Sequence, residues 1–191
     1  MSKGRLEAFS DGVIAIIITI MVLELAPPHG ASLDDLKALV PIFVAYVLSF
    51  VNVGIYWNNH HHLFQAVKVV TGGVLWANLF LLFWLSLFPF VTGWMGENEF
   101  APVPVALYGA VALFAGLAYY VLERALIRVQ PPETGLGEAI GQERKGLASM
   151  ALFAVAIPVA LVAPAVAFAL YVVVAVIWFI PDRRIERALG R

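Results

Sequence analysis

From Leu6 onward the chain sets one long apolar run after another, and the runs are long enough to cross a lipid bilayer. A helix spans the roughly 30 Å hydrocarbon layer with about 20 apolar residues. Lipid offers the backbone no hydrogen-bond partners, so such runs become helices that satisfy their own N–H and C=O groups. Spans are expected at Leu6–Ala26, Leu36–Trp57, Val74–Trp94 and Val105–Leu126. A last apolar block runs from Leu147 to Ile180, 34 residues. As one helix it would be about 51 Å long, too long for a single crossing. Pro158 and Pro164 interrupt it. A proline removes a backbone donor and clashes with the preceding turn, so the block is split into two shorter spans near Ala163-Pro164. The expected fold is all-α, a polytopic membrane protein of six transmembrane helices in one domain covering residues 1–191.

Composition agrees. Of 191 residues, 62% are hydrophobic and 13% charged, more apolar surface than a soluble domain of this length can hide. The net charge is −1 and the charges are scattered, so nothing points to nucleic acid. The absence of cysteine removes disulfides, thiolate metal sites and thiol catalysis. The first apolar stretch is too long for a cleavable signal and runs into Pro27-Pro28 where small cleavage-site residues would be expected. With six spans, Lys3, Arg5, Lys68, Arg124, Arg128, Arg144, Lys145, Arg183, Arg184, Arg187 and Arg191 all fall on one side. The other side carries Asp34, Asp35, Glu97 and Glu99, with Lys37 its one basic residue. The positive-inside rule then puts both termini in the cytoplasm. Trp57, Trp94 and Trp178 sit near span ends, where interfacial indoles are favoured.

No phosphate-cradling glycine loop, His-Glu-x-x-His or Gly-x-Ser-x-Gly is present, and no enzyme is expected. The familiar Thr-Val-Gly-Tyr-Gly potassium filter is missing too. His60-His61-His62 do not read as a metal site, because successive helical residues point about 100° apart. They are expected to pack as polar groups at the cytoplasmic end of the second span. Ser49, Asn52, Asn78 and Ser86 lie within spans and are expected to bond between helices. Gly109, Ala112 and Gly116 suit close helix packing. Glu24 reads as a solvated or rim carboxylate, with ion binding the lesser reading.

The acid near the start of the first span is different. Asp11 follows Leu6, Ala8, Phe9 and Ser10 and precedes Val13 and Ile14, and a charge within a span is costly enough to suggest function. Two structural roles compete with that one: an ion pair, or a cap in which Ser10 or Asp11 accepts first-turn N–H bonds. Ile16, Thr19 and Leu23 are spaced i, i+3, i+7 and share one narrow face, with Asp11 about 140° away from Ile16. By residue type that stripe is either packing or the lining of a pore.

The string Arg5-x-x-x-Phe9-Ser10-Asp11 at the start of the first of six helices resembles the transmembrane protein 175 family of potassium channels, in the bacterial form with one six-helix unit per chain. The resemblance implies a homotetramer in the bacterial inner membrane, with four copies of helix 1 around a central pore and no re-entrant filter loop. It implies Ile16 and Leu23 as the hydrophobic constriction and gate, and Thr19 as the selectivity position. Arg5, Phe9, Ser10 and Asp11 would anchor helix 1 to polar groups of neighbouring helices, among which Trp57–His62 and Asn78 are candidates. No cofactor is implied, only permeant potassium. A proton-coupled carrier using Asp11, Glu24 or the histidines, and a non-transporting scaffold, are the alternatives.

Overall fold

The computed structural model describes residues 2–131 and 144–179. Helix α1 covers Lys3–Ile20 and tightens into a 3₁₀ turn at Met21–Glu24. A short α2, Leu33–Lys37, lies ahead of α3, Val40–Gln65. Then come α4, Gly72–Ser86, and α5, Phe88–Glu97. Three more helices follow: α6, Pro102–Val129; α7, Arg144–Ala160; and α8, Pro164–Phe179. The described residues are helical throughout apart from connecting turns, and the tail arginines at 183, 184, 187 and 191 lie outside them.

Among the described residues, four stretches are long and apolar enough to cross a membrane: Lys3–Glu24, Val40–Gln65, Gly72–Glu97 and Pro102–Val129. Helices α7 and α8 are apolar but shorter, at 17 and 16 residues, or about 25 Å. The turn between them falls at residues 161–163, at the expected proline. Three boundaries differ from expectation. Leu36 belongs to α2, which Ser32 starts with a capping box to Asp35. These Ser32 hydrogen bonds hold the Asp35 carboxyl below the usual carboxylate range. Helix α3 runs eight residues past Trp57, so the Asn58–His62 run is helical. The third span is not one helix, because it breaks at Leu87 between α4 and α5. Pro89 has no N–H for the carbonyl four residues back, and Leu87 bonds instead to the Trp84 carbonyl at i−3.

Helix α1 packs chiefly on α3, α4 and α5, while α6 joins α4 to the outer pair α7 and α8. Small residues set the close crossings. The Tyr171 hydroxyl occupies the space a side chain at Gly109 would need, and it donates to the Val105 carbonyl at 3.1 Å. Met150 lies over Gly116. On the α3–α4 turn, Gln130 from the end of α6 clamps the backbone of Lys68 and Val69 with three hydrogen bonds.

A second set of contacts crosses the bundle where α3, α5 and α6 meet. Thr92 donates to Ser49 at 2.6 Å, and Ser49 and Asn52 both reach the Tyr108 hydroxyl, at 3.2 and 2.9 Å. All but Asn52 are completely enclosed, and Asn52 is buried too. Trp178 likewise donates to Ser149 at 2.8 Å, so its indole serves the α7–α8 contact. Tyr108→Phe should remove the shared acceptor and leave the Asn52 amide without it, at a cost of about 1 kcal/mol. The melting temperature of the purified protein should fall, and an unchanged value would mean the network contributes no net stability.

Candidate functional site

Burial, not polarity, divides α1 into two faces. Leu6, Ser10, Ile14, Ile17 and Met21 are buried, spaced i, i+4, i+8, i+11 and i+15 along one side. The side about 200° away carries Gly12, Ile16, Thr19 and Leu23, all exposed. Ile16 is 59% and Leu23 74% exposed. Among the described residues, no other element comes within 4 Å of where a Gly12 side chain would start.

The buried face carries a hydrogen-bonded tie. Ser10 donates to its own Leu6 carbonyl at 2.9 Å and accepts from the Asn78 amide of α4 at 2.9 Å. The other end of Asn78 meets His60 Nε2 of α3 at 2.9 Å. Ser10, Asn78 and His60 are all buried, and one asparagine thus joins three helices. His60 also stacks on Phe64, with ring centroids 4.4 Å apart. A second bond runs beside the tie, from the Trp57 indole to Asp11 Oδ1 at 3.0 Å.

These contacts correct several expectations. Ser10 and Asp11 are not caps, because α1 starts at Lys3 and both stand two turns inside it. Asp11 is half-buried, not enclosed, and its partner is a neutral indole. Arg5 and Phe9 are exposed, and the Arg5 side chain has no ion pair or hydrogen bond among the described residues. Trp57 serves α1 instead of marking a span end. Ser86 bonds within its own helix, to the Phe83 carbonyl, whereas Ser49, Asn52 and Asn78 do bond between helices. The three histidines diverge: His60 is buried, while exposed His61 meets Gln65 at 2.9 Å and stacks on Trp57. No His, Cys, Asp and Glu grouping that would hold a metal occurs among the described residues. Glu24 is half-buried and lies over Gly93 of α5, a contact its sequence position did not suggest.

On the exposed face, Thr19 is the one hydroxyl. Its Oγ1 donates back to the Ala15 carbonyl at 2.9 Å and to that of Ile16 at 3.1 Å. The hydroxyl hydrogen is held against the helix, which leaves the oxygen lone pairs turned outward as acceptors.

A protein named as a potassium channel from Chryseobacterium sp. (strain P1-3) is 53% identical over 189 residues, which is 99% of this chain and 98% of that one. The model of the family described as endosomal/lysosomal potassium channel TMEM175 matches residues 5–89. The chain belongs to the TMEM175 family. In fold it is similar to the crystal structure of a lysosomal potassium-selective TMEM175 homolog from Chamaesiphon minutus. That likeness has a TM-score of 0.79 and 26% identity, over 92% of this chain and 95% of that one. The human TMEM175 protein, named as an endosomal/lysosomal proton channel, is 39% identical over 83 residues, 37% of this chain and 16% of its own length. TMEM175 proteins are ion channels and not enzymes, and this member is a multi-pass membrane protein and a cation channel.

The two ties to α1 should differ in strength. Asn78→Ala removes partners from both Ser10 and His60 in an enclosed setting, and should cost about 2 kcal/mol. Trp57→Phe deletes one donor to a half-exposed carboxylate and should cost well under half as much. Melting temperatures of the two variants check this order, and a larger loss in Trp57→Phe would contradict it.

Proposed function

We propose that the chain is one subunit of a homotetrameric potassium channel, with α1 of each copy lining a central path. The carrying observation is the division of α1: polar contacts hold one face on α3 and α4, and an apolar stripe with a single hydroxyl is left free. Among the described residues of a single chain that stripe is exposed. Four-fold symmetry would stack Ile16, Thr19 and Leu23 as three rings along one axis. The proposal takes all 191 residues as one six-span unit in a bacterial inner membrane, with both termini cytoplasmic.

The mechanism follows from the three side chains. Rings of Ile16 and Leu23 offer no hydrogen bonds, so a narrow path between them dewets and an ion cannot pass with its shell intact. A widening of the rings by rotation or tilt of α1 admits water and opens the path. Four Thr19 oxygens one turn from Ile16 replace part of the hydration shell. Potassium holds its water less tightly than sodium, so partial replacement favours potassium. A ring of four single hydroxyls gives modest selectivity compared with stacked carbonyl cages. Arg5, Phe9, Ser10 and Asp11 do not touch the ion in this scheme. Ser10 and Asp11 hold the helix that does.

A second reading, proton conduction along the same path, is favoured by the name of the human relative. The relatives described above are named channels, which separates both readings from a coupled carrier.

Purified protein in liposomes or planar bilayers tests the proposal. Ile16→Ala should raise unitary potassium current by widening the constriction. Thr19→Val keeps the shape and deletes the oxygen, so it should lower the potassium-to-sodium permeability ratio with little change in melting temperature. An unchanged ratio in Thr19→Val would remove the hydroxyl from the filter. Current that follows an imposed proton gradient and ignores potassium would favour the second reading.

A further inference from the structure

We infer that Gly93 of α5 is a positioning residue for the outer end of the ion path, acting on Leu23 through Glu24. The inference rests on the reading of α1 as pore-lining. At Met21 the α1 helix tightens into its 3₁₀ turn. Successive side chains there diverge by about 120°, so the direction taken by Glu24 fixes that of Leu23. Met21 is completely buried and Leu23 is 74% exposed. Glu24 turns back onto α5. A side chain at Gly93 would start 2.7 Å from Glu24 Oε2, 2.9 Å from its Cδ and 3.3 Å from its Cγ. The Glu24 side chain therefore rests in space that only glycine leaves open.

Three residues on, Gly96 does the same for α3. A side chain there would start 2.7 Å from the Ile42 Cα. The pair shares one face of α5, so a single helix seats the outer ends of α1 and α3. That helix is itself fixed, because Thr92 beside Gly93 bonds to Ser49 of α3. The outer turn of α1 thus has a defined rotation about its axis even though, among the described residues, no hydrogen bond of the Ser10–Asn78 kind reaches it. With Glu24 on its seat, Leu23 is held on the exposed side of the helix.

The two glycines differ in what a substitution would do. At Gly96 the obstacle is backbone, and Ala there would strain the fold. At Gly93 the obstacle is the far end of a flexible side chain. Gly93→Ala should therefore fold normally and unseat Glu24, leaving Leu23 free to turn.

The chain has no cysteine, so Leu23→Cys gives a single reporter. Its rate of modification by a charged thiol reagent from the outer side is measured together with unitary current. Gly93→Ala lets position 23 turn away from the path, so it should lower the rate several-fold and alter the current, with the melting temperature nearly unchanged. Glu24→Ala should do the same, and the double variant should do no more than either single, because both remove one contact. Glu24→Gln keeps the shape and should leave the rate unaltered. A Gln variant that behaves like Ala would overturn the inference in favour of a direct effect of the carboxylate charge on ions. Unchanged modification in Gly93→Ala, or fully additive effects, would overturn it as well. No modification of Leu23→Cys in the otherwise native chain would overturn the pore reading, and this inference with it.

Discussion

The structure depends on a hydrogen bond that lipid cannot supply. A polar side chain within a span must find a partner inside the protein, and Ser10 finds it in Asn78, which in turn meets His60. That chain of two bonds fixes which side of α1 faces the bundle. Helix rotation is a single variable, so the same bonds decide which side is left over. The stripe of Ile16, Thr19 and Leu23 is free because Ser10, Ile14, Ile17 and Met21 are not. Near the other end the Glu24 contact with Gly93 sets the rotation again, where the helix has changed its pitch.

Hydropathy made the four long spans legible, together with the turn ahead of Pro164, because both are properties of consecutive residues. It did not show the break at Leu87, since apolar character continues across it and only Pro89 marks the lost donor. The short α2 had a local signal in Ser32 and Asp35, the capping pair, but the apolar run beginning at Leu36 masked it. The first-turn cap suggested for Ser10 and Asp11 failed because α1 reaches back to Lys3, through polar residues that a membrane-length estimate leaves out.

The candidate site was legible in membership and not in pairing. Asn78, Trp57 and the histidines were recognisable as the polar groups available to α1. Which met Ser10 and which met Asp11 depends on contacts 46 to 68 residues apart, and local spacing carries no such information. The charge on Asp11 suggested an anchor held through buried polar contacts. The structure gives the enclosed position to the uncharged Ser10 and leaves Asp11 half in the open, beside an indole. Gly93 was not recognisable at all, because a glycine's role is set by what leans on it.

The central claim is that the free face of α1 converges on an axis shared by several copies. It is tested most directly by cadmium block of the Ile16→Cys channel in a planar bilayer. Thiolates brought together around a narrow path bind a soft divalent ion, and the parent chain has no thiol to bind it. The account predicts that cadmium stops the potassium current of Ile16→Cys, that a chelator restores it, and that the parent channel is unaffected. Current through Ile16→Cys that ignores both cadmium and thiol reagents would contradict it.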